Sequence, residues 1–182
     1  MIDQKLLGLI ASNLCTLAKQ VEAASIDSTC SLSVPLNEIR VGYSHASLAT
    51  MQQWAERSST DAQYIYRIDA SEQVCAQLLH AAFSDAKEKR LGNRAYARLH
   101  QASRVLYVGS SRSLMTRLKQ HLGFGPRGTY AMQVSHWLPP VEGELHIQAW
   151  RFASNVSGEV IQTVEDGLWA ASSPMFGRQG AR

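Results

Sequence analysis

The sequence predicts a small α/β (α+β) domain in which helices flank a three-stranded sheet. Its 182 residues match the size of a single domain. Its composition, 45 % hydrophobic and 18 % charged, is typical of a globular protein and excludes a disordered chain. Three short apolar runs alternate with segments of helical composition, so the main part of the chain has the order strand, helix, strand, helix, strand, helix. Three strands are too few for a doubly wound parallel sheet.

Residues 1–60 are predicted to form an N-terminal extension that is mainly helical. Apolar residues spaced three and four apart, from Leu6 to Val21, predict an amphipathic helix over residues 2–24. Residues 25–35 are small, polar and rich in turn formers, which predicts a linker. Two short elements are expected to follow, a strand at 38–43 and a helix at 48–57. The extension is expected to pack on the main domain or to form a homodimer contact.

Residues 61–182 are predicted to form the main domain, and three runs in it have the character of strands. The first run, 63–68, is aromatic and β-branched, whereas the second, 105–108, is apolar and is followed by glycine. The third run, 145–152, alternates apolar and polar residues, which predicts a strand with one face in solvent.

Three segments between and after these strands have helical composition. Residues 71–101 are rich in Ala, Leu, Gln, Lys and Arg, with a break near Gly92. A leucine at every fourth position predicts a helix over 113–122, which a glycine ends. A last helix is expected at 158–171, followed by coil from Pro174.

Positive charge is concentrated in the middle of the chain. From Lys87 to Arg127 there are ten basic residues and one acidic residue, Glu88, whereas the net charge of the whole chain is only +3. Such an excess attracts a polyanion, and nucleic acid is the natural partner. A solvated helical face is the alternative interpretation.

One spacing pattern in this basic region points to phosphate chemistry. Tyr107 and Gly109 end the second strand, Arg117 follows ten residues after the tyrosine, and His121 lies four residues further on. Residues four apart share a face of a helix, so Arg117 and His121 are expected on the face opposite the leucines, toward solvent or a cleft. A guanidinium beside an imidazole can bind a phosphodiester and move protons around it.

The pattern resembles that of the GIY-YIG nuclease family. Tyr64-Ile65-Tyr66 stands at the Gly-Ile-Tyr motif of the family, and Tyr107-Val108-Gly109 stands at its Tyr-Ile-Gly motif. The resemblance covers about residues 62–178. Further positions match the family in residue type and spacing, including its metal-binding Glu and its Pro-x-aromatic sequence: Ser110, Arg117, His121, Glu165, Leu168, Pro174 and Phe176.

The chain departs from the family pattern at three places. Tyr64 replaces the glycine of the first motif. The motif tyrosines Tyr66 and Tyr107 are 41 residues apart instead of being joined by a short hairpin, so residues 71–101 form a basic helical insertion. Gly177 occupies the usual place of an Asn, for which Gln179 is a possible substitute.

The resemblance implies a largely antiparallel sheet and a metal-dependent endonuclease that hydrolyses DNA phosphodiester bonds. Glu165 would hold one Mg²⁺ or Mn²⁺, with waters and phosphate oxygens completing its shell. Either Tyr66 or Tyr107 would orient or deprotonate the attacking water. Arg117 would lower the pKa of that tyrosine and bind the phosphate, and His121 would orient the water or carry its proton.

DNA is therefore the expected partner of the positive charge. The residues expected to bind it, along a track formed by the insertion and the helix 113–122, are Lys87, Lys89, Arg90, Arg94, Arg98, Arg104, Arg112, Lys119 and Arg127. The alternative is a catalytically inactive protein that keeps the nuclease fold and binds DNA or a protein partner, which Gly177 favours. The sequence contains no signal peptide and no apolar run long enough to span a bilayer, so we expect a cytoplasmic protein without a membrane partner.

Overall fold

The computed structural model describes residues 2–56 and 62–180. The predicted domain boundary at 60/61 and the predicted helix end at residue 57 lie outside the described residues. The elements in chain order are α1 (Gln4–Glu22), β1 (Ile26–Pro35), α2 (Leu36–Val41), α3 (His45–Glu56), β2 (Gln63–Ala70), α4 (Ala76–Glu88), β3 (Val105–Ser111), α5 (Leu114–Leu122), β4 (Glu144–Phe152) and α6 (Gly158–Ser172).

The four strands of the described chain form one antiparallel sheet in the order β1-β4-β2-β3. The α+β class and the antiparallel pairing are therefore confirmed, whereas the predicted number of three strands is wrong. In this sheet β2 is central, so Tyr66 lies between Gly109 of β3 and Ala149 of β4.

The additional strand is β1, which occupies the segment predicted as a linker. Its serines alternate with Cys30, Leu32 and Val34, and the burial of the strand alternates in the same way. This is the period-two pattern of a strand with one apolar face. The strand was not predicted because its many small polar residues resemble those of a linker. An edge strand can contain them, since only one of its faces packs on the core. β1 pairs with β4 throughout, so the N-terminal extension contributes to the same sheet as the main domain.

The predicted strand at 38–43 is also wrong, because α2 covers most of it. Leu36 and Ile39 are three residues apart and both fully buried, which is the spacing of one helical face. Both belong to the large core cluster that also contains the aromatic residues of β2. The N-terminal segment and the main domain therefore share one hydrophobic core.

The basic insertion is a helix followed by an irregular segment. α4 ends at Glu88, and the break expected near Gly92 is confirmed by left-handed backbone at Arg90 (φ 51°), Gly92 (φ 64°) and Asn93 (φ 51°). Phe83 of α4 is fully buried, with ring contacts to Tyr96, Trp137 and Phe176. The insertion is thus part of the core and is not an appended surface helix.

Residues on the opposite face of the sheet form a second, smaller cluster. Ile65 and Phe152 pack there with Val160 of α6, and Leu17 and Val21 from the second half of α1 cover them. The other large apolar residues of α1 are exposed: Leu6, Leu7, Leu9, Ile10 and Leu14. Of the helices described, none combines the length and the apolarity that crossing a bilayer requires.

We predict that Phe83→Ala lowers the free energy of unfolding by about 3–5 kcal/mol, because it leaves a cavity among three aromatic rings. Leu78→Ala is the matched control on the same helix, since Leu78 is 43 % exposed, and it should change that free energy by less than about 0.5 kcal/mol. Urea unfolding of both variants measures the difference. Equal stabilities would show that α4 is peripheral to the core.

Candidate functional site

Two tyrosines of neighbouring strands stack on one face of the sheet. Tyr66 of β2 is fully buried, and Tyr107 of β3 is half-buried. Their ring centroids are 5.9 Å apart and their planes differ by 16°. Gly109 permits this approach, because a Cβ at its position would lie 2.6 Å from Cε1 of Tyr107 and 3.1 Å from Oη of Tyr66.

His121 of α5 lies against both tyrosines and is fully buried. Its ring centroid is 4.0 Å from that of Tyr107, and its Nε2 is 3.0 Å from Oη of Tyr66. The backbone N–H of Met132 donates to Nδ1 (3.4 Å), so a neutral ring carries its proton on Nε2 and donates it to Tyr66. Burial, together with the charge of Arg117, holds the pKa of His121 well below its usual value.

The buried position of His121 corrects the expectation that Arg117 and His121 share an exposed face. His121 turns into the core beside the leucines of α5, where Met132 covers it, and only Arg117 remains half-buried. Because desolvation keeps the imidazole neutral, His121 acts in this structure as a hydrogen-bond donor to Tyr66.

Arg117 joins the tyrosines to a neighbouring loop. Its Nη2 donates to Oη of Tyr107 (3.4 Å) and to the carbonyl of Tyr130 (3.2 Å), and its Nη1 donates to Oε1 of Gln120 (2.8 Å). Burial acts to lower the pKa of Arg117, but its contacts with Tyr66 and Tyr107 outweigh that effect and raise the pKa. The guanidinium therefore keeps its charge beside the tyrosines.

The net pKa of Tyr66 is raised, although the sequence-based expectation was that Arg117 would lower the pKa of Tyr66 or Tyr107. Burial, and secondarily the proximity of Tyr107, raise the pKa of Tyr66 well above its usual value. Arg117 acts in the opposite direction but does not compensate for the lost hydration. Tyr66 is thus a neutral phenol inside the core, and Tyr107 is the tyrosine that reaches a cleft.

Glu165 of α6 is the acidic residue of the site and is only 7 % exposed. Burial raises the pKa of its carboxyl, and so does Asp166, whereas hydrogen bonds from the side chain and backbone of Ser110 oppose the increase. Arg117 also acts to lower this pKa, which places the carboxylate within electrostatic reach of the guanidinium.

The donors around Glu165 fit a hard cation with a single protein carboxylate. No group of three or more His, Cys, Asp and Glu side chains able to hold a metal occurs in the described part of the chain. A carboxylate oxygen with the Ser110 hydroxyl beside it is a donor set that Mg²⁺ accepts when waters and phosphate oxygens complete its shell. A nearby cation would also favour the ionised carboxylate that burial disfavours.

Tyr107 and Arg117 line a cleft of about 590 Å³ whose charged lining residues are all basic. Lys87 and Arg98 of the insertion line it, and Arg178 from the C-terminal segment does as well. No acidic residue of the described chain lines this cleft. The cleft is therefore suited to a phosphate-bearing ligand.

Two residues that line the cleft, Arg178 and Tyr130, were not predicted from the sequence. Arg178 lies in a segment without regular structure, which is held by backbone hydrogen bonds from Met175 and Phe176 to β3 and from Gly177 to Arg98. Tyr130 follows a glycine-rich turn and matches no motif. The one signal that the sequence offers is an aromatic residue close to the basic region.

The residues expected to bind DNA lie at several places, and two of them, Lys87 and Arg98, line the basic cleft. Arg112 and Lys119 line a second cleft of about 580 Å³, together with Tyr43 and His45. Arg90 and Arg127 are exposed.

Four of the predicted DNA-binding residues make internal contacts, and one of these contacts is the hydrogen bond from Nζ of Lys87 to the carbonyl of Ala97 (3.0 Å). Arg94 is half-buried and donates through Nη1 to the Gly125 carbonyl and to Oε1 of Gln133. The other two are in exposed ion pairs, Lys89 with Asp85 and Arg104 with Glu72. Arg94 has a structural role, because it ties the insertion to the loop after α5.

Gly177, at the place of the family Asn, packs on the ring of Tyr107. Its φ is 102°, and a Cβ there would lie 3.0 Å from Cε2 of Tyr107. The amide of Gln179 donates to the carbonyl of Asp166 (3.3 Å) and does not line the cleft. The structure therefore does not place Gln179 in the role of that Asn.

No protein-family model, curated protein or solved structure matches the chain. The chemistry of the site therefore rests on its own groups. These are a buried carboxylate, a charged guanidinium, two stacked tyrosines and a neutral imidazole beside a basic cleft.

We predict that Glu165→Gln stabilises the protein without metal at neutral pH. The pKa of Glu165 is higher in the folded than in the unfolded chain, so ionisation costs stability as the pH rises above the usual Glu value. The amide removes that cost, and each kcal/mol corresponds to about 2–4 °C in Tm for a chain of this size.

Thermal unfolding in EDTA at several pH values tests this prediction. The Tm difference should vanish in acid, where Glu165 is protonated in both states. Glu159→Gln, an exposed site on the same helix, should show no such gain. A Glu165→Gln variant that is less stable at neutral pH would contradict the prediction.

Proposed function

We propose that this protein is a metal-dependent endonuclease of the GIY-YIG type that hydrolyses DNA phosphodiester bonds. The observation that carries the proposal is the meeting of the predicted catalytic residues at one place. Tyr66, Tyr107, Arg117, His121 and Glu165 come from four elements. They are linked by hydrogen bonds, ring contacts or charge interactions, next to a cleft without acidic lining residues. A nuclease-like fold is part of the same proposal.

The proposal gives the two tyrosines different roles. Tyr107 lines the cleft, so it is the tyrosine that orients or deprotonates the attacking water. Tyr66 and His121 are fully buried and act as positioning residues. They are hydrogen-bonded to each other, and both of their rings contact the ring of Tyr107 and fix its position. Arg117 reaches the cleft with a retained charge, which suits it to bind the phosphate undergoing attack.

Glu165, with the Ser110 hydroxyl beside it, would hold Mg²⁺ or Mn²⁺. Such an ion supplies Lewis-acid stabilisation of phosphate charge and lowers the pKa of a bound water. Lys87, Arg98 and Arg178 would bind neighbouring phosphates of the strand.

The alternative is a protein that binds DNA through this cleft without cutting it. Gly177 favours this alternative, because it brings no amide to Tyr107 and its left-handed backbone disfavours other residues.

We predict that wild-type protein nicks or linearises plasmid DNA in Mg²⁺ or Mn²⁺ but not in EDTA. Glu165→Gln should lower the cleavage rate by about 100-fold or more, because it removes the proposed metal ligand. Glu159→Gln, on the exposed face of the same helix, should cut like wild type.

Titration calorimetry with Mn²⁺ gives an independent readout, since the Glu165→Gln variant should bind the ion more weakly. Salt-sensitive binding without cleavage of several DNA substrates would support the inactive alternative.

We further propose that the exposed leucines of α1 form a homodimer contact, so that two sites could cut two strands. Leu9 and Leu14 are 58 % and 61 % exposed, so changing them to lysine should not unfold the chain. In sedimentation equilibrium, wild type should have twice the chain mass, and Leu9→Lys/Leu14→Lys should have the mass of one chain. Val41→Lys, at an exposed position outside α1, should behave like wild type. A wild-type protein with the mass of one chain would exclude the dimer.

A further inference from the structure

Tyr130 differs from the other aromatic residues of the described chain in its exposure. Its side chain is 73 % exposed, whereas every other Phe, Tyr and Trp in that part of the chain is buried or half-buried. One exposed ring carries little information by itself. The position of this ring is informative, because Tyr130 lines the basic cleft that contains Tyr107 and Arg117.

The backbone around Tyr130 is held in place by side-chain and main-chain contacts. Arg117 donates to the carbonyl of Tyr130 (3.2 Å), and Gln133 donates to that of Thr129 (3.0 Å). The carbonyl of Ala131 accepts from the N–H of Ala97 (2.9 Å), and Ala131 is fully buried. The exposed ring therefore projects from a fixed backbone, which reduces the entropy lost when it contacts a ligand.

The size and charge of the cleft define what can lie against this ring. Its volume of about 590 Å³ is in the range of about 300–1,000 Å³ typical of small-ligand sites. One unpaired nucleotide fits such a volume. Lys87, Arg98 and Arg178 supply positive charge, and the ion pairs of the described residues use none of these three.

We propose that this cleft binds an unpaired nucleotide of DNA, with its base stacked on Tyr130 and the flanking phosphates held by Lys87, Arg98 and Arg178. Every base has a π-face, so stacking selects unpaired structure more than sequence. The preferred substrates are then single-stranded, gapped or branched DNA, in which a base can leave the helix without loss of pairing. This inference rests on the proposed function, because it names the substrate class of the same site.

Fluorescence anisotropy with labelled oligonucleotides tests the inference, in EDTA so that binding is measured without cleavage. Wild type should bind a single strand more tightly than a blunt duplex of the same sequence. Tyr130→Ala should weaken binding of the single strand by about 5- to 150-fold, the usual effect of removing a base-stacking aromatic. Binding of the duplex should change by no more than about two-fold, because phosphate contacts dominate it.

Two control variants separate stacking from general effects. Tyr130→Phe should bind the single strand like wild type, because the ring remains. Val41→Ala changes a residue that is 91 % exposed and does not line this cleft, and it should have no effect. A 2-aminopurine base in the single strand should change its emission on binding to wild type, and this change should be lost with Tyr130→Ala.

Different experimental results would contradict the nucleotide site and the nuclease activity. Preference of wild type for the duplex, or an equal loss of single-strand and duplex binding in Tyr130→Ala, would overturn the inference even if plasmid is cleaved. Absence of cleavage together with a Tyr130-dependent 2-aminopurine signal would overturn the nuclease and leave the nucleotide site.

Discussion

The hydroxyl of Tyr66 lies at the centre of the sheet without access to solvent, so protein groups must satisfy its hydrogen bonds. This constraint determines much of the surrounding structure. His121 is buried beside it, and the backbone N–H of Met132 donates to the lone pair of Nδ1, which leaves the proton of the ring on Nε2 for Tyr66. The strand opposite Tyr66 must carry a glycine, because a side chain at Gly109 would meet both tyrosine rings. The neutral, hydrogen-bonded pair of Tyr66 and His121 thus supports the half-buried Tyr107.

Unlike the neutral pair of Tyr66 and His121, the charged groups of the site lack partners that compensate for their charge. Glu165 is buried, and the hydrogen bonds of Ser110 and the charge of Arg117 do not offset the effect of burial on its ionised form, so its carboxylate costs stability at neutral pH. Lys87, Arg98 and Arg178 line one cleft without an acidic partner among the residues described, and like charges held together repel. A metal ion and a polyanion would relieve both costs at once. This stored electrostatic cost is typical of binding sites, where stability is traded for affinity.

The segments that complete the site come from distant parts of the chain and are fixed by backbone pairing. Met175 and Phe176 donate to β3, which brings Gly177 against Tyr107 and Arg178 into the cleft. The end of the insertion pairs with the loop after α5, through Tyr96 and Ala131, and Arg94 reinforces that contact. Phe83 and Phe176 are in ring contact inside the core, so the insertion and the C-terminal segment stabilise each other. The walls of the cleft are therefore extensions of the hydrophobic core.

The sequence by itself determined the elements with strong local patterns: the amphipathic α1, the leucine-spaced α5, the strands β2, β3 and β4, and the break near Gly92. It also identified the candidate residues, because that prediction depends only on residue type and spacing. These residues are Tyr66, Tyr107, Arg117, His121 and Glu165. It missed β1 and α2, because their sequence patterns are weak and these elements depend on contacts with β4 and the core. Only the tertiary structure decided that His121 is buried, that Tyr66 has a raised pKa, and that Arg178 and Tyr130 join Arg117 at one cleft. Burial and electrostatic environment arise from packing between segments far apart in the chain, so no local pattern encodes them.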